Sequence, residues 1–157
     1  EDSRYFEPLN RTFNMLRVME SVRATEGEDA VFKLYWEYGS RIHHDQTLDF
    51  DIDEALEAAG LPTAHAVAFD SAEFDLDIQT RHDAGIALAG EDIGTPIIAF
   101  NDRKGVKQAY FGPVITQVPN TEDSLAMWDA LVAMMNIDGF WELKRTRTEG
   151  PTFGNRP

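Results

Sequence analysis

Gly94-Thr95-Pro96-Ile97-Ile98-Ala99-Phe100 decides how this chain is read. A short apolar run led by proline reads as a buried strand whose first residue has no N–H for a ladder, so the proline belongs at the strand's end. Asp102-Arg103-Lys104-Gly105 follows as a turn, with Gly105 supplying a positive φ, and Val106 to Phe111 returns as a second, antiparallel strand. Gly112-Pro113 breaks that strand. Asn120-Thr121-Glu122-Asp123 then caps a helix with Leu125, Trp128, Leu131, Val132 and Met135 on its apolar face. A cis Thr95–Pro96 bond would turn the chain sharply and expose the Thr95 backbone, although only about 5–6% of X–Pro bonds are cis.

Upstream of Gly90 the pattern is helical. Pro8 suits a first helical turn, Leu9, Phe13, Leu16 and Met19 form a stripe, and Gly27 ends it. A second helix starts at Glu28-Asp29 with Val31, Leu34, Tyr35, Tyr38 and Ile42 apolar. Residues 45–53 read as a solvated acidic connector; their aspartates lack the glycine and glutamate of a calcium loop. Short helices follow at 54–59 and 63–69, and Ser71 caps a longer one with Phe74, Ile78, His82, Ile86 and Ala89 in its stripe. The inventory is lopsided: two apolar strands among many helices ask for a wider sheet, because a lone hairpin is marginal in water.

Composition bounds the chemistry. The chain has 157 residues, no cysteine, 14 Lys and Arg against 28 Asp and Glu, and a net charge of −14. With 43% hydrophobic and 11% aromatic residues it builds a core and is not a disordered chain. Without cysteine it has no disulfide, thiolate metal site or thiol nucleophile of its own. The acidity argues against nucleic acid and against an anionic membrane surface, and reads as a soluble, cytoplasmic surface. No apolar stretch approaches the roughly 18 residues of a membrane span, and no secretory signal opens the chain. Its first residue is Glu1 rather than Met, which reads as processing, trimming or a piece of something longer.

Helix, Gly-Thr-Pro, strand, tight turn, strand, Phe-Gly-Pro and amphipathic helix, in that order, resemble the closing half of a thioredoxin fold. Glu91 to Pro96, Phe111 to Val114, Leu125 to Trp128, Glu142 to Glu149, Ala55 to Pro62 and His82 to Gly85 look like the DsbA-family actinobacterial proteins that include the mycothiol-dependent nitroreductase. The resemblance implies an α/β fold: a thioredoxin-like core with an inserted helical domain. Residues 1–90 would be that helical lid and 91–157 the closing half of the core. The family's opening β-α-β portion, with its Cys-Pro-Trp-Cys motif, has no counterpart here, so the resemblance implies a truncated chain without its redox cysteines.

The implied parent is a thiol–disulfide oxidoreductase that uses mycothiol or a similar small thiol as co-substrate and holds no tightly bound cofactor. Its partners would be that thiol and a small-molecule or disulfide substrate, with a homodimer as a further option. No catalytic residue is expected in this chain. Gly94, Thr95, Pro96, His82 and Phe111 are the expected thiol- and substrate-binding residues, with the Thr95 backbone pairing strand-like with substrate. Two other readings stay open: a cysteine-free binding or regulatory module that completes its sheet with a partner, and a relative of the 2-hydroxychromene-2-carboxylate isomerases and kappa-type glutathione transferases.

The remaining candidates read as structural. His82 is expected as a core histidine that alternatively reaches the Gly94 pocket. His43-His44 is a poor metal pair, since adjacent helical residues diverge. Tyr35, Trp36 and Tyr38 read as core and interface. Lys144, Arg145 and Arg147 are expected to ion-pair with acidic helices, or else to attract an anionic thiol. The Gly/Pro-rich end after them is expected to fray.

Overall fold

The computed structural model describes residues 3–156. Five α-helices and two strands run in the order α1 (Ser3–Glu26), α2 (Glu28–His43), α3 (Ile52–Ala58), α4 (Asp75–Ala89), β1 (Ile97–Asn101), β2 (Lys107–Phe111) and α5 (Thr121–Met135). Two 3₁₀ stretches, Thr63–Asp70 and Ala72–Phe74, lead into α4. The chain divides into two compact units with the boundary between Arg81 and His82. That boundary lies inside α4, ahead of the residue 90 division read from the sequence.

In the first unit, Gly27 (φ 84°) lets α1 turn directly into α2. Both helices bury one stripe: Met15, Val18, Met19 and Val22 from α1 meet Ala30, Val31, Leu34 and Tyr38 from α2, and Ala55 and Leu56 of α3 complete the core. Two sequence expectations need correction here. Helix α1 begins at Ser3, so Pro8 is internal rather than in the first turn. Of the stripe Leu9, Phe13, Leu16 and Met19, Met19 joins the core, whereas Leu9, Phe13 and Leu16 are 65%, 37% and 41% exposed; the rest of the buried stripe is rotated onto Met15, Val18 and Val22. Both stripes fit a helical period. Phe13 is satisfied outside the core by the Arg17 guanidinium, 5.2 Å from its ring centre.

The acidic connector is likewise less solvated than its composition suggests. Leu48 and Phe50 pack on the core, and Arg11 of α1 donates to the carbonyls of Leu48 and Phe50. Asp51 caps α3 by accepting from the Asp53 and Glu54 amides. The stretch expected as a helix at 63–69 is 3₁₀; it buries His65, whose Nδ1 lies 2.9 Å from the Ser21 hydroxyl. Tyr35 and Trp36 are 61% and 52% exposed, so of that aromatic group only Tyr38 joins the core.

Tyr38 packs its ring 5.6 Å from Phe50, but its buried hydroxyl has no hydrogen-bond partner among the described residues. Burial also pushes its ionisation well above the ordinary tyrosine range. A buried unsatisfied polar group costs about 1–3 kcal/mol. Tyr38→Phe is therefore expected to stabilise the protein by about 1 kcal/mol in urea unfolding; a loss of stability would show that the hydroxyl is bonded.

Arg17 meets Asp75 in a bidentate pair, Nε to Oδ1 at 2.6 Å and Nη2 to Oδ2 at 2.9 Å, which ties α1 to the start of α4. The hydrogen bond from Arg17 holds the Asp75 carboxyl below its usual range. A depressed folded-state value means a contribution that is present above the unfolded carboxyl's ordinary range, near pH ~4, and lost as pH falls through the lower folded value. Acid titration of stability is expected to fall less steeply below pH ~4 in Asp75→Asn than in the parent protein. Superimposable acid limbs would exclude the pair as a contributor.

In the second unit, β1 and β2 pair antiparallel in the register Ile97 with Phe111 through Asn101 with Lys107. Asp102 builds the connecting turn: its carboxylate accepts from the amides of Lys104 and Val106, and these bonds with Gln108 hold its carboxyl below the usual range. Gly105 adopts φ 77° there. Among the described residues the sheet has two strands. Asn120 caps α5 through the Asp123 amide. On that helix Met135 is buried, whereas Leu125 and Trp128 remain 63% and 49% exposed.

The tail does not fray as expected. Tyr110 donates to the Phe140 carbonyl at 3.0 Å, Thr152 is bonded to Thr116, and in the first unit Arg156 pairs with Asp45 at 3.0 Å. The local reason is side-chain chemistry that composition alone does not reveal: each Gly/Pro interval is flanked by a residue with a partner.

Candidate active site

The candidate site is the open end of the hairpin. The Thr95–Pro96 bond is cis, and so is the Gly112–Pro113 bond on the facing strand. The Gly112 amide donates to the Pro96 carbonyl at 2.8 Å, and Phe111 stands opposite Ile97 in the register. Gly112 has φ 102°, which a side chain would resist, and a Cβ there would sit 3.4 Å from the Val114 amide nitrogen. These contacts bring Pro96 and Phe111 together, with Gly94 and Thr95 leading in. Gly94, Thr95 and Pro96 are exposed, and Phe111 is 49% exposed.

Backbone parity fixes which groups are available. Gly112 bonds Pro96, and at the turn the Asp102 amide donates to the Val106 carbonyl at 2.9 Å. Bonded pairs alternate along an antiparallel ladder. Ile98 and Phe100 therefore exchange bonds with β2, while the N–H and C=O groups of Ile97, Ala99 and Asn101 point to the opposite edge. Among the described residues that edge has no partner strand, and no backbone–backbone hydrogen bond engages Thr95. An unpaired row of amides and carbonyls is a template for another extended chain.

His82 does not join this arrangement. Its side chain is 64% exposed and its Nδ1 lies 3.1 Å from the Asp83 carboxylate; among the described residues no hydrogen bond or ion pair links it to Gly94, Thr95 or Pro96. This corrects the core-histidine expectation. The helical stripe that suggested it holds only half-buried side chains, with Phe74, Ile78 and Ile86 none of them fully buried. Sequence reasoning used Gly112-Pro113 as a strand breaker and as part of the Phe111 to Val114 motif. The Gly112 amide that closes the site was missed, and the signal for it was the second Gly/Pro pair at matching hairpin register.

No group of three or more His, Asp or Glu among the described residues could hold a metal ion. The site's polar groups are backbone amides and carbonyls and the exposed Thr95 hydroxyl, so it can align an extended partner strand-like.

The profile of the family described as Rv2466c-like, mycothiol-dependent nitroreductase Rv2466c, matches residues 2–145. The chain belongs to this family. The match takes in the helical unit, the hairpin with its two cis prolines, and α5. None of the described helices is long and apolar enough to cross a membrane.

Proposed function

We propose that this chain is the helical domain and hairpin half of a DsbA-type, mycothiol-dependent thiol–disulfide reductase that acts on nitro compounds. In this reading the redox cysteines lie on a Cys-x-x-Cys-bearing β-α-β segment outside the 157 residues. The open β1 edge at Ile97, Ala99 and Asn101 carries the reading. It is where the parallel strands of a thioredoxin-like core would add, and their helix would bring a thiolate to Thr95 and Pro96. The absence of any cysteine in a thiol-dependent family supports it.

Mycothiol, when bound, supplies the reducing thiol. This chain's residues bind and orient: the Thr95 backbone aligns the thiol-bearing substrate, and Phe111 walls the site beside it. Gly94 allows the approach. His82 has no part in this.

The direct test is thiol-dependent reduction of a nitroaromatic by the protein that joins this chain to such a segment. No mycothiol consumption by that protein would overturn the reading. Because the Thr95 contribution is backbone, Thr95→Ala is expected to leave KM for the thiol within about twofold. Thr95→Asp places a carboxylate beside a thiolate and is expected to raise KM about tenfold, the equivalent of 1.4 kcal/mol of like-charge repulsion. Loss of activity in Thr95→Ala would instead assign chemistry to the hydroxyl.

A further inference from the structure

A second site lies in the same unit and owes nothing to thiol chemistry. After the cis Gly112–Pro113 bond, residues 114–117 run alongside residues 145–149 of the tail, and an open groove of about 520 Å³ lies between them. Its walls are pinned rather than merely adjacent. Thr152 donates both its amide, at 2.7 Å, and its hydroxyl, at 3.1 Å, to the Thr116 carbonyl.

The groove's charge is the unusual feature. Arg145 and Arg147 line it, and neither makes an ion pair among the described residues, although the chain carries 28 acids against 14 bases. Elsewhere Arg11, Arg17, Arg23, Arg41, Arg81 and Arg156 sit on carboxylates, while Arg103 in the hairpin turn, like the groove's pair, makes no ion pair among the described residues. Two unpaired guanidiniums two residues apart, in so acidic a chain, are a pair of planar forks without a protein anion to fill them. The threonine hydroxyls of 116, 146 and 148 add donors on the same lining, and Val114 and Ile115, 47% and 46% exposed, add an apolar floor. The volume suits a small molecule.

We propose that this groove binds a small phosphomonoester. The phosphate would lie against Arg145 and Arg147, and the carbon skeleton against Val114 and Ile115. Glu149 also lines the groove; its carboxylate opposes any anion, but two guanidiniums against one carboxylate leave the lining with net positive charge, which attracts a dianionic phosphate more strongly than a singly charged carboxylate.

Phenyl phosphate titrated into the ¹⁵N-labelled intact protein, at low salt, tests this. Saturable shifts are expected at the amides of Thr116, Thr146 and Thr148, with a dissociation constant below about 1 mM. Arg145→Gln with Arg147→Gln is expected to weaken binding more than tenfold, and Glu149→Gln to tighten it. Arg147→Lys keeps the charge but loses the fork, and is expected to weaken binding about threefold. Equal shifts with phenol would show apolar adhesion only, and would overturn the proposal. So would binding that is unchanged in the double arginine variant, or the absence of saturable shifts.

Discussion

Leu34→Ala is expected to lower the unfolding free energy of the helical unit by about 3 kcal/mol, and its melting temperature by roughly 15 °C. Leu34 of α2 is fully buried, as are Val18 and Val22 of α1 and Leu56 of α3. All four belong to one cluster. Truncation removes three carbons from the centre of that cluster and leaves a cavity, and the walls are helices that cannot all close on it. Leu16→Ala is the control: Leu16 is 41% exposed, so its truncation is expected to cost under about 1 kcal/mol. The pair compares the centre of the buried cluster with the exposed face of α1. Urea unfolding followed by helix ellipticity reads both, and a larger loss in Leu16→Ala than in Leu34→Ala would restore the stripe through Leu9, Phe13 and Leu16.

That contrast marks where sequence stops being legible. The hairpin could be read because its signals are local. Asp102 and Gly105 make the turn through bonds within a few residues, Asn120 caps α5 the same way, and proline punctuates β1 and β2 at matching ends. The candidate site residues Gly94, Thr95, Pro96 and Phe111 sit at those punctuation points, which is why sequence could single them out. The face of α1 could not be read. Two apolar stripes fit one helical period, and the choice is made by partners distant in sequence, Leu34 and Leu56, that cover the buried stripe. Leu48 and Phe50 were hidden for a related reason: the aspartates around them dominate composition, while Arg11, far upstream, holds their backbone against the core. His82 shows the opposite error, a periodic position whose helix face never becomes buried. Nor does sequence say which amides of β1 are free, because parity follows from the observed pairing with β2.

The free edge also yields the largest expected effect on dynamics. Among the described residues the amides of Ile97, Ala99 and Asn101 have no partner strand, so in the 157-residue chain they are expected to exchange with solvent at close to the unprotected rate. Ile98 and Phe100, bonded to β2, exchange more slowly. Joined to a Cys-x-x-Cys-bearing β-α-β segment, the same three amides become the inner face of a wider sheet and are expected to slow by at least about 100-fold, since a ladder bond then opens only with sub-global unfolding. Leu125 and Trp128 on α5, now 63% and 49% exposed, are expected to lose accessibility in the same experiment. Hydrogen exchange read residue by residue separates the competing assemblies. Protection that appears only with the added segment supports the thiol-reductase half-fold. Protection of the same amides in the 157-residue chain alone, growing with protein concentration, would mean that a second copy completes the sheet, and would remove the need for any cysteine-bearing strand at that edge.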